Sequence, residues 1–364
     1  MRRTRNKPLR EPVRDAPGPT NVDSVTFRFP IFSEFFCIRQ PLFPFTVARE
    51  LATGERGKSL AKALLSGKFL LRTLRTGNFV TARDGGHHSI DALISSATVP
   101  GPNEVFNFQA GDNFQNFMFT AGNFIVSARN GGGIGAADDT ETFQTEARDF
   151  RDDEKLIFNG PEEDGTFSVQ TLTGNFVTAV GGGGHSSRAF HTDATQALAW
   201  EKFHLLRTGD LTVGHLHQYA IRPIGTSLGF LTAINGGNRK VHAMTANSPL
   251  VDNSRFRLEK QVDGTFAIGT PMPFHFVTAD DGGGLAHGSP QIDNLITTQT
   301  QVKDWEKFRI QETSPGVFTI QTVSGFFIGV KNDLSNISTR ISFPDEAPSI
   351  GYSAKFELIW MGIP

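Results

Sequence analysis

From about residue 67 onward the chain is built of short runs in which apolar and polar positions alternate. Phe167-Ser168-Val169-Gln170-Thr171 and Phe318-Thr319-Ile320-Gln321-Thr322 put an apolar side chain at every second position, the period of a strand with one buried face. A second strand is predicted in Gly174-Asn175-Phe176-Val177-Thr178-Ala179. Variants of this phrase stand at 77–82, 122–127, 229–233, 275–279 and 325–329. Glycine-rich turns follow at 85–86, 131–133, 181–184, 236–237 and 282–284. A weaker third strand is predicted near 90–93, 187–190 and 240–244. The fourth is distinct in Trp200-Glu201-Lys202-Phe203-His204-Leu205 and Trp305-Glu306-Lys307-Phe308-Arg309-Ile310, with counterparts at 105–108, 154–158, 255–258 and 355–358. In this fourth strand Glu201-Lys202 and Glu306-Lys307 are expected on the outward face.

The marker phenylalanines Phe79, Phe124, Phe176, Phe230, Phe276 and Phe327 are separated by 45, 52, 54, 46 and 51 residues. The spacing reads as a block of three units duplicated once. A unit of this size cannot bury its apolar face alone, so units must assemble. Four short strands per unit and three units per block is the strand count of a β-trefoil, in which six strands close a barrel and six form hairpins capping one end. Closure removes the sheet edges that invite aggregation. The expected fold class is therefore all-β, with two tandem β-trefoils at 67–210 and 211–364. A six-bladed propeller is the competitor, but the paired spacing and the lack of a Trp-Asp signature favour trefoils.

The first 66 residues do not share this pattern. Residues 1–22 are rich in proline and aperiodic, which predicts a disordered arm. Residues 23–66 form an extension rich in phenylalanine and proline, from Phe27 and Phe29 to Phe43 and Phe45. That much apolar surface must pack on the body or on a neighbouring subunit, so residues 23–46 are a candidate for homo-oligomer formation. A short helix is predicted from Leu51 or Ser59 to Leu65.

Composition adds bounds. The 364 residues include 33 Phe but only 2 Tyr and 3 Trp, and 38 Gly suit many tight turns. The net charge is −2, yet residues 1–14 carry six basic groups against one acid, leaving 29 basic and 36 acidic groups for the rest. The body has no excess positive charge to attract nucleic acid; the arm, with Arg2, Arg3 and Arg5, is a generic candidate for an acidic surface. The single cysteine, Cys37, forms no intrachain disulfide, which fits a reducing compartment. No apolar run reaches the roughly 20 residues of a membrane span, and the basic start lacks the apolar segment of a secretory signal. A cytoplasmic location is expected.

The combination of Asn-Phe-Val-Thr-Ala, a glycine run and a closing Trp-Glu-Lys-Phe, carried best by 174–184 with 200–203 and by 276–284 with 305–308, resembles the fascin-like, actin-crosslinking branch of the β-trefoil superfamily. The resemblance covers 67–364 and implies a scaffold that binds or crosslinks filaments, with actin as one partner. Animal fascins carry four trefoils, whereas this chain has two. Similar glycine-rich repeats occur in bacterial modules attached to carbohydrate-active enzymes, which implies a polysaccharide partner as the alternative. The ricin-type Gln-x-Trp signature does not occur here. The matching positions are core and turn residues, so no binding residue carries over.

Other motifs have structural readings. Ala52-Thr53-Gly54-Glu55-Arg56-Gly57-Lys58-Ser59 satisfies a loose phosphate-loop pattern, but only strand repeats follow it. Gly131-Gly132-Gly133-Ile134-Gly135-Ala136 fits a dinucleotide fingerprint, but it is the recurring turn. Asp84, Asp138, Asp139, Asp280 and Asp281 flank turns without the spacing of a calcium loop, and read as residues that hydrogen-bond their own backbone. No catalytic constellation, cofactor motif or metal spacing is legible. His87, His88, His185 and His287 lie in or beside equivalent glycine turns and are expected together on the hairpin faces, where titration would change surface charge. Trp200 and Trp305 occupy the same repeat position, where other copies have Asn103, Asp153, Asn253 and Ser353. They are candidate sugar-stacking platforms or packed rim residues.

Overall fold

The computed structural model describes residues 62–138, 141–211, 217–284, 294–331, 337–340 and 352–362, all within one compact unit, Gly57–Pro364. The arm, residues 23–61, the phosphate-loop-like motif, Asp139, His287 and Arg2, Arg3 and Arg5 lie outside the described residues, as does the proposed oligomerisation segment.

Six strands close a barrel by antiparallel pairing in the first block. Gly67–Thr73 pairs with Val105–Ala110, which pairs with Asn116–Phe119. Asn116 bridges to Leu156 beside Ile157–Asn159, which pairs with Thr166–Gln170. Lys202–Arg207 then pairs with both Thr166–Gln170 and Gly67–Thr73, completing the ring. Three hairpins cap it: Phe79–Ala82 with Leu93–Ala97, Ile125–Ala128 with Phe143–Ala147, and Phe176–Ala179 with Phe190–Ala194.

The second block repeats the circuit. Gln218–Pro223, Arg255–Lys260, Phe266–Gly269, Lys307–Ser314, Val317–Thr322 and Phe356–Trp360 pair in that order, and the last returns to the first. Its hairpins join Phe230–Ala233 to Met244–Ser248, Phe276–Ala279 to Leu295–Gln299, and Phe327–Lys331 to Ile337–Arg340. This pairing is that of two tandem β-trefoils.

The phenylalanines explain the cores. Phe69, Phe106, Phe158, Phe167 and Phe203 fill the first barrel, and Phe256, Phe308, Phe318 and Phe356 the second, all buried. Phe69 and Phe158 each meet Phe108 edge to face, with centroids 5.6 and 5.2 Å away, the offset geometry aromatic rings prefer. Alternation along each strand sends these rings inward.

The two trefoils share a seam. Leu206 of the first barrel pairs with Ile359 of the second, and Leu70, Ala220 and Met361 pack with them. Trp360 stacks on Phe167 at 5.2 Å and meets Phe69 at 6.1 Å. Beside this apolar contact, the Glu357 carboxylate accepts two bonds from the Arg72 guanidinium, at 2.8 and 3.1 Å, and pairs with Arg222. His204, opposite Arg72 in the strand register, is held neutral: burial, then repulsion from Arg72 and Arg222, lowers its pKa to about 4. Burial also pushes the Tyr219 hydroxyl up to about 12.

Three expectations need correction. Lys62–Ala63 is a strand paired with Phe158–Asn159 rather than the end of a helix. The Asn116 side chain takes the Leu65 amide at 2.6 Å and donates to the Ala63 carbonyl at 2.8 Å, so backbone groups a helix would pair internally bond to a neighbouring strand. The third strands begin about three residues late, at Leu93, Phe190 and Met244, because Asp91, Arg188 and His242 just before them adopt positive φ of 44 to 46°. Finally, Glu201 and Glu306 are buried, not on an outward face.

Candidate functional site

The marker strand, the turn after it and the residues opening the fourth strand form one recurring unit. Five of the six marker strands end in a single 3-10 turn whose middle residue is left-handed: Asp84, Asn130, Gly181, Asn235 and Asp281, with φ from 48 to 60°. Glycine, asparagine and aspartate are the residues that tolerate this conformation, so Asp84 and Asp281 serve the turn. The glycine two positions later is required for a second reason. A Cβ at Gly183, where φ is +117°, would stand 2.5 Å from Thr76 Oγ1 of another repeat.

Beneath the turn lies a buried glutamate. Glu201 accepts hydrogen bonds from the Thr178 hydroxyl and the Leu198 amide, both at 2.8 Å. Glu104 and Glu154 do the same with Thr81 and Gly101, and with Ser127 and Arg151. Glu306 accepts from the Lys303 amide at 2.8 Å. These pairs satisfy charges that would otherwise be costly to bury. The sequence reading missed them, although a signal existed: Thr or Ser in the marker phrase is followed 23 to 27 residues later by Glu.

Trp200 and Trp305 immediately precede two of these glutamates. Each indole lies against its glycine turn: a Cβ at Gly182 would be 3.4 Å from Trp200 Cδ1, and one at Gly282 would be 3.7 Å from Trp305 Nε1. One edge is therefore fixed while the rest faces solvent, leaving the residues 48% and 44% exposed. The lysine two residues after each tryptophan is ion-paired. Lys202 pairs with Glu162 at 2.5 Å, and Lys307 pairs with Asp263 at 3.0 Å and Asp304 at 3.3 Å. Hydrogen bonds from the Thr265 hydroxyl and Lys307 hold the Asp263 carboxyl down at about 2.

The histidines are placed by backbone bonds. His87 and His88 bond through their main chains to Thr145 of the next repeat, and His185 bonds to Ser95 in the same manner. His88 and His185 thus hold equivalent places in different repeats, tied to different strands. His87 stacks on Phe124 at 5.0 Å, and His88 Nε2 lies 3.1 Å from Asp84. Among the described residues no helix follows Gly131–Ala136; Gly133 bonds to the Thr192 carbonyl. Among the described residues no cluster of three His, Cys, Asp or Glu side chains is placed to hold a metal ion.

No family model and no curated protein sequence matches this chain. Similar solved structures include a mosquitocidal holotoxin, 10% identical over 82% of this chain with a TM-score of 0.35. The match takes in 34% of the holotoxin, so the chain spans about a third of that protein's length. ThreeFoil, a designed threefold-symmetric protein, is 10% identical over 38% of this chain and 98% of its own, with a TM-score of 0.33. A non-toxic homologue of type II RIPs from Momordica charantia (bitter gourd), solved with α-methyl-D-galactoside, is 12% identical over 80% of this chain and 96% of its own, at 0.28.

Proposed function

We propose that the protein is a carbohydrate-binding module with one stacking platform on each trefoil, Trp200 and Trp305. The observation that carries this reading is the pair of half-exposed indoles at the same repeat position, each lying against a glycine turn and immediately preceding a buried glutamate. A rigid aromatic face with one polar edge suits the C–H face of a sugar ring, and holding it rigid lowers the entropy lost on binding. Two such sites on one chain gain avidity on a polymer, by a factor of roughly 10² to 10⁴ when both engage. A polysaccharide pull-down and a glycan array test the reading. Binding by the parent protein, weakened by Trp200→Ala or Trp305→Ala and abolished in the double variant, supports it. A blank array and pull-down at high concentration overturn it.

The fascin-like resemblance favours a second reading, a filament-crosslinking scaffold. The buried seam between the trefoils would hold two binding faces in fixed relation, as crosslinking requires. Co-sedimentation with actin filaments tests it, and the absence of pelleting removes it.

A further inference from the structure

The two glycine turns that carry the tryptophans are packed on by different side chains from a neighbouring repeat. In the second trefoil a Cβ at Gly282 would stand 2.7 Å from Ser324 Oγ and 3.7 Å from Trp305 Nε1. In the first trefoil a Cβ at Gly182 would stand 2.5 Å from Arg75 Cβ, 2.7 Å from Arg75 Cγ and 3.4 Å from Trp200 Cδ1. An arginine stem and an indole thus meet at one glycine in the first trefoil, where the second has a serine. The difference begins in the sequence. From the threonine that ends the barrel strand to the marker phenylalanine, the segment 73–79 is one residue longer than its counterpart 322–327, and Arg75 lies in the longer loop.

The Arg75 loop is fixed on both sides. The Thr76 hydroxyl donates to the Gly182 carbonyl at 3.0 Å, and the Leu74 amide donates to the carbonyl of Lys202, two residues after Trp200, also at 3.0 Å. The backbone of Arg75 is therefore tied to the glycine turn and to the tryptophan strand at once. Its side chain is exposed, and among the described residues it makes no ion pair, hydrogen bond or ring contact. Lys202, the other cation close to Trp200 in the chain, is held by Glu162. A guanidinium anchored by its stem beside a half-exposed indole suits a ring with an anionic edge. The indole takes the C–H face, and the planar fork takes two oxygens of a carboxylate or sulfate. Outside residues 1–14 the chain carries 29 basic and 36 acidic groups, a balance that opposes a long polyanion but not a single anionic group held at short range.

We propose that Arg75 makes the Trp200 platform selective for a sugar ring bearing one anionic group, a carboxylate or a sulfate ester, while the Trp305 platform takes neutral rings. The inference rests on the carbohydrate reading of the two tryptophans. The test is titration of the indole N–H signals by NMR on the full chain, with Trp200 and Trp305 assigned from their Phe variants. The probes are methyl glycosides of glucose and galactose, those of the corresponding uronic acids, and sulfate esters of the neutral pair, each at millimolar concentration. The expected result is that the Trp200 signal titrates roughly tenfold more tightly with the anionic probes than with the neutral ones, and that the Trp305 signal shows no such preference. Arg75→Gln keeps the packed stem and removes the charge, so it should abolish the preference at Trp200 while neutral binding and the thermal melt stay as in the parent. Tighter binding of the uronides identifies a carboxylate ligand, and tighter binding of the esters a sulfated one. Equal affinity of Trp200 for neutral and anionic probes, a preference that survives Arg75→Gln, or one shared by Trp305 overturns this inference and leaves the stacking reading standing. Silence of both indoles with every probe overturns the two together.

Discussion

Replacing Glu357 with alanine removes the carboxylate that lies between Arg72 and Arg222 at the seam of the two trefoils. Arg72 and Glu357 are both nearly inaccessible, with side chains 10% and 7% exposed. Two unit charges about 4 Å apart interact by about 4 kcal/mol at an effective dielectric constant near 20. Arg222, about a third exposed, is partly screened and adds less. Leaving a buried guanidinium without its partner therefore predicts a loss of about 3–5 kcal/mol, a large part of the roughly 5–15 kcal/mol that holds a domain folded. Urea denaturation followed by tryptophan fluorescence measures it, since Trp360 is buried at this seam. The double variant Arg72→Met/Glu357→Leu, which removes the Arg72–Glu357 charges together, should recover most of the loss. A Glu357→Ala variant within about 1 kcal/mol of the parent would refute the buried-pair argument.

Further predictions follow from neighbouring groups. His204 is neutral in the fold with its pKa lowered to about 4, so its contribution is complete above the unfolded value near 6.5. It is lost as pH falls from about 6.5 to 4, by up to about 3 kcal/mol in all; urea midpoints at pH 7 and pH 5 should separate for the parent and converge for His204→Gln. Thr178→Val leaves the buried Glu201 carboxylate short of a donor and should cost about 1–3 kcal/mol, read from the same denaturation curves; an unchanged midpoint argues against the buried network. Gly183→Ala introduces a Cβ 2.5 Å from Thr76 Oγ1 at φ +117°, so thermal melts should show a loss of at least about 1–3 kcal/mol. Trp200→Ala should leave the melt nearly unchanged, because the residue is 48% exposed, while weakening polysaccharide retention.

The trefoil circuit was legible because its signals are local. Phe167, Val169, Phe318 and Ile320 alternate with polar residues within a single strand, and the left-handed turn residues Asp84, Asn130 and Asp281 are of the types such a turn admits. The candidate platforms Trp200 and Trp305 stood out as the odd occupants of a repeated position, and both are half exposed. The residues just before the third strands did not stand out. Asp91, Glu141 and Arg188 share a position only once the delayed start of the third strands is known, and the sequence pattern placed those strands about three residues early.

By itself, then, the sequence determined the number of repeats, the strand-turn-strand content of each and their grouping in threes, since periodicity and turn chemistry act over a few residues. Tertiary structure alone decided which charges are buried. Glu201 reads as a surface residue until Thr178, 23 positions earlier, is brought beneath the turn. Glu357 does so until Arg72, 285 positions away, meets it across the seam. A charged side chain is buried only where a partner compensates it, and that partner is supplied by chain closure rather than by the neighbouring sequence.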